Sequence, residues 1–75
     1  MTIYLERFDK AKSGTRFYRL DVQPTLFGDW VLIREWGLIG CEVIIRSTPY
    51  SSRNVAETTC DRLMRAKLRC GYQAR

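Results

Sequence analysis

The chain has 75 residues, with 13 Lys and Arg against 8 Asp and Glu, a net charge of +5, and no histidine. Folding at this length buries only about 60% of the surface the unfolded chain exposes, so the core is small and a deep catalytic cleft is not expected. Without imidazole there is no Ser-His or Cys-His pair, no His general base near neutral pH and no His metal ligand.

The first fifty residues read as short strands between turn signals, the pattern of an antiparallel sheet. Ile3 to Phe8 is the first, with Ile3, Leu5 and Arg7 on one side and Tyr4, Glu6 and Phe8 on the other; Lys12-Ser13-Gly14 turns the chain. Arg16 to Gln23 sets Tyr18, Leu20 and Val22 against Phe17, Arg19, Asp21 and Gln23, a half-buried strand that Pro24 ends. After Phe27-Gly28-Asp29, Trp30 to Trp36 sets Val31, Ile33 and Glu35 against Trp30, Leu32, Arg34 and Trp36. Gly37 and Gly40 are expected to break regular structure, and Glu42 to Thr48 resumes it before Pro49. The period then changes. Ser51 or Ser52 is an N-cap, Ala56, Cys60, Leu63, Met64, Lys67 and Cys70 follow at helical spacing, and Gly71 suits the C′ position. Arg62, Arg65 and Arg69 fall on the opposite side of the helix, and Lys67 lies within the apolar stripe, its ammonium expected to snorkel to water. The expected architecture is α+β: about four antiparallel strands with one C-terminal amphipathic helix on one face, residues 1–75 forming one domain.

Charge is uneven along the chain. Residues 1–50 hold 7 basic and 6 acidic groups, whereas residues 51–75 hold 6 basic and 2 acidic. The apolar runs are far shorter than the roughly 20 residues of a membrane span, and Glu6, Arg7, Asp9 and Lys10 exclude a signal-peptide core, so a soluble, cytoplasmic chain is expected. Cys41, Cys60 and Cys70 match no zinc spacing; Cys60 and Cys70, on one helix, would stand roughly 15 Å apart, too far for a disulfide. They read as reduced packing residues, with Cys41 the one candidate reactive thiol. No phosphate loop, nucleotide fingerprint or metal cluster is present, so no cofactor is expected.

Periodicity does not account for Arg34-Glu35-Trp36-Gly37-Leu38-Ile39-Gly40. With Arg16-Phe17-Tyr18-Arg19-Leu20 upstream and Lys67-Leu68-Arg69-Cys70-Gly71-Tyr72 downstream, this segment resembles the WGR domain, named for a Trp-Gly-Arg tripeptide. The chain is similar to short bacterial proteins of that family and to the WGR module of poly(ADP-ribose) polymerases. The resemblance runs from Tyr4-Leu5-Glu6-Arg7 through Pro24-Thr25-Leu26-Phe27-Gly28 to Gly71-Tyr72. It implies a small antiparallel sheet with one helix and nucleic-acid binding, the motif Trp lying against a terminal sugar and the motif Arg acting as a polar link. Trp36 and Gly37 match the motif. Leu38 stands where the family has Arg, and Glu42-Val43 where many members have a Gly-rich turn.

Two readings follow. In the first, the chain is a non-catalytic nucleic-acid-binding module, most readily for DNA, weak and largely indifferent to sequence. Trp36, Gly37, Arg34, Arg46, Arg16, Arg65 and Arg69 form the candidate site. The plainer reading of these residues is a packing aromatic, a solvated sheet face and a solvated helix face. In the second, the replacement of Arg by Leu38 makes, with Ile39, an exposed apolar loop that docks another protein or a second copy. An enzyme is the remote third class, since Cys41 with Glu42 or Glu35 lacks an orienting group, and ADP-ribosyl transfer belongs to a separate catalytic domain.

Overall fold

The computed structural model describes residues 1–75. Its elements are β1 (Thr2–Asp9), β2 (Gly14–Pro24), β3 (Trp30–Leu38), β4 (Val43–Tyr50), α1 (Arg53–Arg69) and β5 (Gln73–Ala74). They form one antiparallel sheet in the order β4-β3-β2-β1-β5, with α1 on one side. β1, β2 and β3 follow the expected alternation, and β4 is the expected fourth strand, exposed along most of its length. In the register Tyr18 lies opposite Leu5 and Trp36, Leu20 opposite Ile3 and Arg34, and Val22 opposite Leu32. Leu5, Tyr18, Leu20, Val22 and Leu32 thus form a single buried layer, and α1 closes it with Ala56 and Cys60. Each large apolar side chain in that layer contributes about 1.5–3 kcal/mol through burial, the main drive for so small a domain. Ile3, Trp30, Trp36, Tyr50, Leu63, Met64 and Tyr72 pack around its rim.

The helix starts and stops where its caps dictate. Ser52 has extended dihedrals and its Oγ accepts from the Asn54 N–H at 3.2 Å. At the far end Gly71, with φ +95°, reverses the chain; its N–H donates to Leu68 O and the Tyr72 N–H to Lys67 O, both at 3.1 Å, the paired bonds of a Schellman motif. Only glycine takes that conformation without strain. The reversal turns Tyr72 back onto the core and delivers β5, which the sequence pattern did not suggest, to the outer edge of β1 opposite Leu5 and Glu6. Lys67 and Arg69 in the last turn complement the helix dipole.

Two boundaries differ from expectation. Gly37 does not break β3, which continues to Leu38. There the hairpin brings β4 so close that a Cβ on Gly37 would stand 2.8 Å from Glu42 O and 3.2 Å from Val43 Cα. Glycine is required by proximity rather than by a turn. Pro49 does not stop β4 either, because β4 is an edge strand and a proline nitrogen can face outward there.

Candidate nucleic-acid interface

Register sorts the charges by face. On the helix side the strands present Arg7, Arg16, Arg34 and Arg46 with one carboxylate, Asp9; on the open side they present Glu6, Asp21 and Glu35 with one cation, Arg19. The near-neutral first fifty residues therefore carry a charge difference across the sheet. The open side is also internally satisfied. Asp21, 4% exposed, accepts from Thr2 Oγ1 at 3.0 Å, Gln23 Nε2 at 2.6 Å and Arg19 Nη2 at 3.3 Å, and Arg19 reaches Glu35 at 3.8 Å. The Tyr4 hydroxyl donates to Glu6 Oε2 at 2.8 Å, and this bond to the carboxylate raises the Tyr4 pKa.

Of the expected site residues, the structure brings Arg34, Trp36 and Arg46 together on the helix side. Arg34 and Arg46 are direct cross-strand partners, and Trp36 follows Arg34 by two residues on the same face. The helix begins above Trp30, where Arg53 lies 5.3 Å from the ring centroid, and ends above Tyr18, where Lys67 Nζ lies 4.7 Å away. The corner of β3 and β4 beside that path stays open, with Ile44 and Arg46 exposed. Trp36 itself is half-buried and rests on Tyr18, ring centroids 5.8 Å apart at 25°. The Arg34 guanidinium lies 5.6 Å from the Trp36 centroid. Neither Arg34 nor Arg46 is in an ion pair. Two like charges fixed side by side with no carboxylate between them form an anion-seeking site.

The other candidates lie elsewhere. Arg16 is held by Asp9, Nε to Oδ2 2.6 Å, and that bond lowers the Asp9 pKa. Arg65 pairs with Asp61 at 2.8 Å on the outer face of α1, where Arg69 is also exposed. Leu38 belongs to β3 and not to an exposed loop; it is half-buried, with Cδ1 3.3 Å from where a Cβ on Gly14 would stand. Only Ile39 of that pair is exposed.

Two cations were missed in the site reading. Lys67 is half-buried, and its ammonium passes between Tyr18 at 4.7 Å and Tyr72 at 5.6 Å. Arg7 lies 5.1 Å from the Tyr72 centroid and donates to Cys70 O at 3.1 Å. Together they extend a connected series of cations and rings, Arg34, Trp36, Tyr18, Lys67, Tyr72 and Arg7, across the helix side. A cation inside the apolar stripe of α1, with Tyr72 just past the helix end, was the signal available.

All three cysteines are free, Cys60 buried and Cys41 and Cys70 exposed; burial raises the Cys60 pKa. No group of three or more His, Cys, Asp or Glu side chains is arranged to hold a metal ion, and no helix is long and apolar enough to cross a membrane.

An uncharacterized protein of Sinorhizobium fredii, y4dW, is 33% identical over 73 residues, covering 97% of this chain. The chain spans 36% of that protein's length. No solved structure matches it. The family description for the WGR domain, a family known for nucleic-acid binding in poly(ADP-ribose) polymerases, matches residues 1–75, and the chain belongs to that family.

Proposed function

We propose that the chain is a non-catalytic, cytoplasmic nucleic-acid-binding module that holds the sugar-phosphate backbone of DNA at the corner formed by Arg34, Trp36 and Arg46. The observation that carries this reading is the direct pairing of Arg34 with Arg46 beside Trp36, on a face where the strands hold four arginines against one carboxylate. The two guanidiniums contact phosphates, and the exposed part of the Trp36 ring lies against a sugar or base at a strand end. With about two phosphates neutralised, affinity falls with salt at a logarithmic slope of roughly −2, and binding is micromolar or weaker and indifferent to sequence. Lys67, Arg7 and the outer helix arginines Arg62, Arg65 and Arg69 strengthen the field without fixing the contact. Leu38 supplies no guanidinium, so a polar link from that position is absent.

Fluorescence titration of blunt, nicked and single-stranded oligonucleotides into the protein at low salt tests the reading. The expected result is saturable binding with quenching of tryptophan and a preference for substrates that present a strand end. Binding no tighter than that of an unrelated basic protein, with no tryptophan response, would remove it.

A further inference from the structure

β4 contributes Arg46 to the corner described above, but its outer edge and its apolar residues Val43, Ile44 and Ile45 have no part in that site. Val43, Ile44 and Ile45 are all exposed, at 42%, 48% and 58%, although they point alternately to the two faces of the sheet. A helix covers one face of a strand; a further strand covers the edge and extends both faces.

Backbone bonds establish what that edge offers. Val22 N–H donates to Met1 O and Ile39 N–H to Thr15 O, both at 2.9 Å. Peptide groups in antiparallel strands alternate in direction, so odd residues of β3 bond to β2 and even residues to β4. Through the partners Trp36↔Ile44, Arg34↔Arg46, Leu32↔Thr48 and Trp30↔Tyr50, the even residues of β4 are engaged with β3. Val43, Ile45, Ser47 and Pro49 direct their peptide groups outward, and Pro49, the one lacking an N–H, belongs to that outward set.

We infer that β4 pairs antiparallel with β4 of a second copy about a two-fold axis through Ile44. In this register Val43 bonds Ile45 of the second copy and Ile45 bonds Val43, giving reciprocal N–H to carbonyl pairs. Ile44 meets Ile44, and Arg46 stands directly opposite Glu42. The even positions form the non-hydrogen-bonded pairs, in which side chains are closest. Neighbouring registers lack this complementarity. An axis through Ile45 sets Arg46 against Ile44 and Val43 against Ser47, and an axis through Arg46 sets the two arginines against each other and brings Pro49 into the ladder. The opposite edge of the sheet is β5, two residues long, so pairing closes at the dimer. The seam adjoins the Arg34–Arg46 corner, and each copy supplies Glu42 beside the other's Arg46, so association and phosphate binding compete for that guanidinium. The dimer does not depend on nucleic-acid binding.

Sedimentation velocity on the full chain, from low micromolar to millimolar concentration, should show the 8.8 kDa species giving way to one of twice that mass. Arg46→Glu should weaken association about tenfold or more, and the double exchange Glu42→Arg with Arg46→Glu should restore it to within about threefold. Ile45→Pro removes an outward N–H while sparing the bonds to β3, and should leave a folded monomer by circular dichroism. A wild type that stays at 8.8 kDa at every concentration overturns the proposal, including the case in which a strand from a different protein uses this edge. Failure of the charge exchange to restore the dimer overturns it as well. If Ile45→Pro does not fold, the charge pair, exposed in the monomer, decides the matter alone.

Discussion

Gly37→Ala tests the packing argument at the motif itself. The added methyl would stand 2.8 Å from Glu42 O and 3.2 Å from Val43 Cα, both backbone atoms, with Val43 Cγ1 at 3.4 Å. Ordinary contacts lie near 3.5–4.0 Å, so β4 must retreat by several tenths of an ångström. Overpacking of this kind costs about 1–3 kcal/mol. The smaller conformational freedom of Ala in the unfolded chain offsets about 0.4–1 kcal/mol, leaving a net loss of about 1–2 kcal/mol. For a domain of this size that lowers the thermal midpoint by about 4–16 °C. Gly14→Ala is the matched control, because its methyl meets only the end of the Leu38 side chain, 3.3 Å away and free to rotate. Thermal unfolding followed by circular dichroism should place Gly14→Ala within a few degrees of wild type and Gly37→Ala well below it. Equal midpoints for Gly37→Ala and wild type, or a larger loss for Gly14→Ala, would refute the reasoning.

Three further outcomes follow from the same geometry. In native protein two thiols, Cys41 and Cys70, should react rapidly with an aromatic disulfide reagent near neutral pH, and the third, Cys60, only on unfolding; three equally fast thiols would contradict its burial. The Asp9 carboxyl, whose pKa the Arg16 guanidinium lowers, stabilises the fold above the ordinary carboxylate range and loses that contribution as pH falls through its lowered value. Asp9→Asn should therefore be less stable than wild type at neutral pH, with the gap closing on acidification when thermal midpoints are compared across pH. Leu20→Ala, at a fully buried position in the middle of the layer, should cost about 2–5 kcal/mol, enough to unfold much of the population at room temperature by circular dichroism.

What was legible in the sequence was local. The alternation of Tyr18, Leu20 and Val22 marked the buried face of β2, and Ser52 and Gly71 marked the ends of α1, because strand period and cap chemistry act over a few residues. β5 carried no pattern of its own, since it exists through the chain reversal at Gly71 and the edge that β1 leaves open. Gly37 looked like a breaker because its close neighbour, the Glu42 backbone, is set by the hairpin rather than by adjacent residues. Leu38, read as part of a loop, is a strand residue over Gly14 for the same reason. The candidate site was partly legible: Arg34 and Trp36 share a face by their spacing of two. That Arg46 joins them required the β3–β4 register. That Arg16 is held by Asp9, and that Lys67 lies between two rings, required tertiary packing.

The charge arithmetic of the chain pointed to its C-terminal third, yet the fold gathers unpaired cations at the β3–β4 corner. The salt dependence of DNA binding separates these sources most directly. Arg34→Ala with Arg46→Ala and Arg62→Ala with Arg65→Ala remove the same number of cations, from the corner and from the outer helix face respectively. The corner variant should lose about two from the magnitude of the salt slope and most of the affinity, and the helix variant should lose little of either. Equal losses in the two variants would mean that net charge alone governs binding and would contradict a contact at Arg34, Trp36 and Arg46.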